Sequence, residues 1–448
     1  MAKITALTGF PEWSPEERLV EQAVLDQVRR KFELFGFTSI ETRAVEPLDV
    51  LLKKGATDKE IYLLKRLHAE AGEEAELGLH FDLTVPFARY VAQNRGTLAF
   101  PFKRYQIQKV WRGERPQQGR YREFYQADID VIGEGELPLH FDAEMALLLH
   151  EVVSSLPIPQ IQLRINNRKL LEGFYRALGI EAISDVLRSV DKLDKIGEEG
   201  VRKALREENA LSQEAAEQCL ALARVRGNAE QVLAGVRALG ATHPLLEQGL
   251  EELGFVLSAL RDLPDGSAIG DLRIARGLDY YTGTVYEGVF VDHPQLGTVC
   301  SGGRYDNLAS DDKHKLPGVG VSVGVSRILG FMFANGALKA SRASPTVVLV
   351  ALPSEEQRGE AYRLAAGLRA RGVASEVFYA PQKFGKQIRY AERRGIPYVL
   401  FPGAAGTELR DIRSGEQKAV DLATWMPSPE ELSVAVVRAD RSGGPGPA

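Results

Sequence analysis

Cysteine is scarce in this chain: Cys219 and Cys300 are the only two in 448 residues, too few and too far apart for a disulfide framework or a zinc quartet. Both are expected as free thiols. No apolar run approaches the ~20 residues of a membrane-spanning helix, and the opening MAKITALTGFPEWSPEERLVEQ has no basic stretch leading into an apolar one. A cytoplasmic protein without a membrane part is expected. The seven histidines show no metal-ligand spacing, which argues against a catalytic zinc, and no internal repeat is visible. The formal net charge of −5 gives no overall attraction for nucleic acid, so any such contact must be local.

What is present points to several packed cores. Apolar residues make up 44% and charged residues 26%, as in ordinary globular proteins, and the length suggests about three units. Pro15-Glu16-Glu17 opens a helix whose Val20, Val24, Val28 and Phe32 recur every four residues, followed by Phe35 and the stop Gly36. Residues 37–45 alternate like a strand that Pro47 closes. Strand-like runs at 79–85, 99–111, 124–132, 284–291 and 297–300 lack regular intervening helices, which favours a mainly antiparallel sheet. Between roughly 170 and 242, Leu, Ala, Glu and Arg at helical spacing read as a helical insertion. From Pro345, the run VVLVAL, a helix near 355–371, the strand SEVFYA, a helix at 383–394 and the strand YVLF compose a small α/β unit. After Pro427 a short helix and a disordered tail are expected.

Polar chemistry concentrates in a few places. Seven Lys or Arg and the single acid Glu114 lie within 103–122, a basic stripe suited to a polyanion. Arg112-Gly-Glu-Arg, the loop to Gly119-Arg120 and the run Tyr121–Gln126 read as a basic hairpin that holds guanidinium groups over a nucleotide, or alternatively as a solvated hairpin. Residues 276–283, Arg-Gly-Leu-Asp-Tyr-Tyr-Thr-Gly, place Tyr280 and Tyr281 on opposite faces of a strand, one toward a ligand and one packed. Ser301-Gly-Gly-Arg-Tyr-Asp306 suits a polar site or a turn before a helix. His80, Asp82 and Thr84 alternate on one strand face, where a carboxylate and a hydroxyl suit an ammonium group. Gly318-Val-Gly-Val-Ser-Val-Gly324 has the wrong spacing for a dinucleotide fingerprint and reads as a strand entering a helix that starts near Arg327. FGK at 384–386 lacks the flanking residues of a phosphate-binding Walker loop.

In this order, these segments resemble the histidyl-tRNA synthetase family of class II aminoacyl-tRNA synthetases. The helix–strand–Pro47 unit looks like motif 1, the basic hairpin like motif 2 and the glycine-rich segment ending at Arg327 like motif 3. RGLDYYTG and SGGRYD resemble the two histidyl signatures. The likeness runs from about residue 5 to 425. It implies an α+β fold: a class II antiparallel sheet flanked by helices, with a helical insertion and a C-terminal α/β anticodon-binding domain. The implied divisions are 1–169 and 243–340 for the catalytic domain, 170–242 for the insertion, 345–427 for the anticodon-binding domain and 428–448 for the tail.

The resemblance further implies activation of L-histidine by ATP with Mg²⁺, transfer to tRNA(His), and a homodimer formed through motif 1. It places Arg112 at the α-phosphate, Glu114 near adenine, Arg120 at the distal phosphates and Arg327 at the γ-phosphate, with Arg276 on the histidine carboxylate and α-phosphate. Arg112 and Arg276 are the catalytic pair. Asp82, Thr84 and Gln126 would surround the amino group, with Asp130 and Tyr281 at the imidazole and Tyr280 beside them. Such matched hydrogen bonding rejects other side chains without editing, and no segment is spare for an editing domain. Lys383, Lys386, Arg389, Arg393 and Arg394, at helical spacing, would meet tRNA phosphates. In place of the usual acidic residue, Ser326 precedes Arg327. The main alternative is the related regulatory subunit of ATP phosphoribosyltransferase, which typically lacks the C-terminal domain and degrades the motif arginines. A free-standing aminoacyl-adenylate donor is disfavoured by the same domain.

Overall fold

The computed structural model describes residues 5–52, 60–68, 74–116, 119–274, 280–403 and 406–439. It divides into two compact units, Met1–Pro11 with Gln27–Phe331, and Glu12–Asp26 with Met332–Ala448.

The first unit is built on a nine-stranded sheet. Its strands are β1 (Thr38–Ser39), β2 (Phe102–Trp111), β3 (Glu123–Ile132), β4 (Ile161–Asn167), β5 (Arg226–Gly227), β6 (Ala268–Asp271), β7 (Thr284–Phe290), β8 (Thr298–Tyr305) and β9 (Gly318–Val323). They lie in the order β1-β2-β3-β9-β8-β7-β4-β6-β5, antiparallel except at β1–β2 and β4–β6. The mainly antiparallel expectation holds. Side chains alternate between faces, so each strand serves two purposes. On one face lie the helices α3 (His140–Ser155) and α5 (Pro244–Ala259), the first burying Met145, Leu148, Leu149 and Val152. Arg304 of β8 enters this layer and grips the buried Asp142 of α3 at 2.8 and 3.1 Å. Tyr305, its neighbour, points to the other face and bonds Asp130.

Helix α1 spans Pro15–Leu34, with Glu16 and Glu17 in its first turn, where carboxylates favour the helix dipole. The strand expected over 37–45 is instead two short pieces, Thr38–Ser39 and Val45–Pro47. Between them, side chains replace the ladder: Gln106 donates to Thr42 Oγ1 at 3.0 Å and Gln108 to the Thr42 carbonyl at 3.1 Å. The run expected at 79–85 also departs, since its strand ends at Leu79 and helix α2 occupies Thr84–Asn94. Asp82 Oδ1 accepts from Val85 N of the first turn at 3.2 Å, and Pro86 fits that turn, so the chemistry of a helix start overrides the alternation. Residues 168–259 are mainly helical, from α4 (Arg168–Ala177) through four further helices to α5.

In the second unit, strands β10 (Val348–Val350), β11 (Ser375–Val377), β12 (Tyr398–Gly403), β13 (Gly406–Asp411) and β14 (Gln417–Ala419) form a sheet in the order β11-β10-β12-β13-β14. Helices α7 (Arg358–Ala370) and α8 (Phe384–Arg394) accompany it over a core of Val348, Leu349, Val350, Leu368, Val399 and Leu400. Gln387 is fully buried and satisfies both backbone groups of Leu352 at 2.9 Å. Beyond Pro427 the chain forms a short 3-10 turn and then the strand Val436–Arg438, paired with Leu338–Ala340, where a tail was expected. Residues 440–448 lie outside the described residues.

Candidate active site

The face of the sheet opposite α3 opens into a cavity of about 530 Å³, and a smaller one of about 100 Å³ shares its lining at Arg112, Gln126, Tyr280, Tyr281, Ser301, Gly302 and Ser322. The larger carries the guanidinium groups. Strands β2 and β3 pair from Phe102↔Ile132 to Trp111↔Glu123, so the basic hairpin is real and Arg112 emerges at its end. Arg112 Nε donates to the Phe81 carbonyl at 2.9 Å, its guanidinium lies 5.1 Å from the Phe124 ring centre, and Nη2 reaches Gln126 at 3.4 Å. Held from three sides, it has little rotamer freedom left to lose. Glu114 bridges Arg120 at 3.3 Å and Arg112 at 3.9 Å. Glu60 faces the same group, and burial together with the Glu114 charge raises its carboxyl above the ordinary value.

Across the cavity, β9 runs into α6 (Val325–Ala334), as the glycine-rich segment predicts, with Arg327 in the first turn. Arg327 Nη2 donates to the Leu296 carbonyl, and Ser326 Oγ accepts from Tyr125 N at 2.9 Å. Ser326 thus ties the start of α6 to β3.

The smaller cavity is acidic and aromatic. Asp82, Thr84, Gln126, Asp128, Asp130, Tyr280 and Tyr281 line it. Asp130 is buried between the Tyr305 hydroxyl at 2.6 Å and Arg104 Nη2 at 2.5 Å, while Arg104 is itself fully buried over the Phe87 ring. Gln126 Nε2 donates to Ser322 Oγ at 2.7 Å. The hydroxyls of Tyr280 and Tyr281 are 2.9 Å apart with ring centres at 4.3 Å, and burial raises the Tyr280 phenol well above its usual range. Two glycines make room for this packing: a Cβ on Gly320 would fall 2.0 Å from Asp130 Oδ1, and one on Gly303 would fall 2.7 Å from the Tyr281 ring.

Comparison with known proteins gives this geometry a family. A histidyl-tRNA synthetase family model matches residues 9–328, and an anticodon-binding domain model matches residues 346–426. The chain belongs to the histidyl-tRNA synthetase family. It is 55% identical to the histidine–tRNA ligase of Micrococcus luteus, over 98% of this chain and 100% of that protein. With the histidine–tRNA ligase of Thermobifida fusca it shares 54% identity over 94% and 98%. The crystal structure of histidyl-tRNA synthetase from Nostoc sp. superposes with a TM-score of 0.84 at 35% identity, covering 94% of this chain and 97% of that one. As a member of this family the chain is an aminoacyl-tRNA synthetase, an enzyme that uses ATP.

Within the histidyl-tRNA synthetase frame, the residues singled out in the sequence are brought together with four differences. Glu114, Arg120 and Arg327 line the larger cavity, Asp82, Thr84 and Asp130 the smaller, and Arg112, Gln126, Tyr280 and Tyr281 both. First, Tyr280 and Tyr281 precede β7 and line the same cavities together, because a turn rather than a strand carries them. Second, Ser301–Tyr305 is strand, not turn, its glycines answering the close packing of β9 and Tyr281. Third, the basic stripe is divided: Lys103 pairs with Glu144 at 2.6 Å, Lys109 with Glu123 at 2.5 Å, and Arg104 is internal. Fourth, Arg394 of α8 bonds Tyr390 Oη and Ser344 Oγ, whereas Lys383, Lys386, Arg389 and Arg393 are exposed. Arg276 lies outside the described residues.

Sequence reasoning missed Arg104, Asp128 and Ser322. The even-numbered register from Arg104 and Gln106 across Asp128 to Ser322 was the available signal, once the β2–β3–β9 pairing was known.

Proposed function

We propose that this enzyme activates L-histidine with ATP to histidyl-adenylate and pyrophosphate, then transfers histidine to the 3′ end of tRNA(His). The observation that carries this reading is the joining of two chemically distinct cavities at Arg112 and Gln126. One side offers three guanidinium groups to a triphosphate; the other offers carboxylates, an amide and phenols to an amino acid with an imidazole. The histidine carboxylate attacks the α-phosphorus, so no side chain need act as nucleophile. The protein's work is to align two anions and to stabilise the charge that grows on the transferring group, through Arg112 and Arg276. Arg120 and Arg327 would hold the distal phosphates and Glu114 the adenine side. Asp82, Thr84 and Gln126 would hold the amino group, with Asp130 and Tyr281 at the imidazole and Tyr280 supporting Tyr281.

Mg²⁺ would arrive with the nucleotide, whose phosphates and water supply most of its oxygen ligands. Among the described residues no group of three or more His, Cys, Asp or Glu could hold a metal ion. Residues 345–427 would bind the anticodon arm through Lys383, Lys386, Arg389 and Arg393, residues 170–242 would act as an insertion in a catalytic domain of 1–169 and 243–340, and motif 1 would form a homodimer. No helix among the described residues is long and apolar enough to cross a membrane, and we place the enzyme in the cytoplasm. The regulatory-subunit alternative is disfavoured by the C-terminal unit and the retained arginines. Histidine-dependent ATP–pyrophosphate exchange by the purified protein tests the reading; no exchange with Mg²⁺, ATP and histidine present would overturn it.

A further inference from the structure

We propose that Asp128 is a third carboxylate of the amino-acid pocket, whose unpaired oxygen receives the substrate's α-ammonium group. The inference rests on the histidine-activating reading and adds a residue to it. Asp128 sits on β3 between Gln126 and Asp130, on the same strand face, and lines the smaller cavity. It is 2% exposed, and its Oδ1 has no hydrogen-bond partner among the described residues. A buried carboxylate oxygen without a partner, on a residue that lines a cavity, is costly unless a ligand completes it.

The neighbours explain why the missing partner is a cation. Three carboxylates meet here, Asp82 from the start of α2 and Asp128 and Asp130 from β3. Among the described residues Arg104 on β2 is a buried cation facing them, and its 2.5 Å contact goes to Asp130. Arg112, at the cavity's other end, is engaged with the Phe81 carbonyl and Gln126. Opposite Asp128 on β2 stands neutral Gln106, and opposite it on β9 stands Ser322, whose hydroxyl bonds the Asp128 carboxyl. Tyr280, Tyr281 and Tyr305 add only phenols, neutral near pH 7. Among the described residues of the pocket, carboxylates therefore outnumber cations, and an amino acid's ammonium supplies a positive charge.

In the ligand-free protein the imbalance is relieved by a proton. Burial, followed by the Arg104 charge acting the other way and repulsion from Asp130, leaves the Asp128 carboxyl raised to about 7. An arriving ammonium reverses the balance, so Asp128 ionises as the substrate binds and its proton passes to solvent. At pH 7, a group titrating near 7 is half protonated, and roughly half a proton should be released.

The test is calorimetric titration of the full-length protein with L-histidine at pH 7, in two buffers of different ionisation enthalpy, for wild type and D128N. Wild type should release roughly half a proton more than D128N, because protons from the substrate's own imidazole cancel in the difference. D128N should bind histidine about tenfold or more weakly, the loss of one charge-assisted hydrogen bond. Affinity for 3-(imidazol-4-yl)propionate, which lacks the ammonium, should be the same in both within about threefold. Equal proton release and equal histidine affinity in the two proteins would overturn the inference, as would an equal loss for both ligands. If D128N does not fold, wild type decides alone: once the protons that each free ligand's own imidazole gives up at pH 7 are subtracted, it must release more with histidine than with the propionate analogue, and equal corrected release overturns the proposal. Failure of wild type to bind histidine at all would instead overturn the functional reading.

Discussion

Gly320→Ala is the sharpest test of how the amino-acid pocket is built. Gly320 on β9 stands opposite Asp130 on β3, and the added methyl would lie 2.0 Å from Asp130 Oδ1, 2.5 Å from Cγ and 2.7 Å from the Ile129 carbonyl. Ordinary contact needs roughly 3.4 Å or more, so the carboxyl must swing by over about 1 Å. The backbone carbonyl has no comparable freedom. The swing breaks the Tyr305 bond at 2.6 Å or the Arg104 pair at 2.5 Å. Overpacking costs about 1–3 kcal/mol, and a lost charge-assisted hydrogen bond about 1.5–3 kcal/mol more. Because Asp130 is placed at the imidazole, the KM for histidine in pyrophosphate exchange should rise about 10²-fold, with the KM for ATP within about threefold. Thermal unfolding should report a clear loss of stability. Gly385→Ala, whose added methyl meets nothing within 4 Å, is the matched control and should change neither quantity adversely. A G320A enzyme with a histidine KM within threefold of wild type would refute the argument that β9 holds Asp130 in place.

Other expectations concern charge. Arg276→Ala should slow adenylate formation on the order of 10²-fold or more while barely weakening ATP binding, and a pre-steady-state rate within a few-fold of wild type would remove Arg276 from its assigned role. Replacing Lys383, Lys386, Arg389 and Arg393 together with Ala should leave exchange intact, weaken tRNA binding and flatten its salt dependence; unchanged charging at limiting tRNA would count against these contacts. For Asp128, a folded-state value near 7 against the ordinary 3.8 means that the folded protein holds the proton more tightly. Its contribution to stability is full below pH ~4 and is lost as pH rises through about 7. Asp128→Asn should therefore stabilise the ligand-free protein at pH 8 by up to about 4 kcal/mol and have much less effect at pH 4.5, as read by denaturant midpoints.

Much of the site was legible because its chemistry is local in sequence. The basic hairpin, the glycine-rich strand entering α6 and the α/β pattern after Pro345 each declare themselves within about twenty residues, through periodicity, turn residues and charge. What failed depended on distant partners. Alternation at 80–84 looked like a strand, but Asp82 bonds the first turn of α2 and the ladder ends at Leu79. Arg104 looked like one more surface cation, and only its register opposite Asp130 makes it a buried counter-ion. Gly302 and Gly303 looked like a turn because the need for small residues comes from β9 and Tyr281, neither adjacent in the chain. Segment 37–45 failed for the same reason, its hydrogen bonds being taken by Gln106 and Gln108.

The placement of β3 has a consequence for how the enzyme is made. β3 pairs with β2 through a short hairpin but with β9 only after nearly two hundred further residues. While a ribosome lengthens the chain at about 5–20 residues per second, the β3 edge at Ala127–Ile132 waits on the order of ten seconds or more for its second neighbour. During that interval a strand edge with one apolar face, Ala127, Ile129 and Val131, is open to pairing with another nascent chain. The helices between Arg168 and Ala259 are all made in that interval, the first packing against the last, and can assemble in the meantime. Synthesis speed between codons 133 and 318, and chaperone supply during it, should therefore govern the yield of active enzyme more than the stability of the finished fold does.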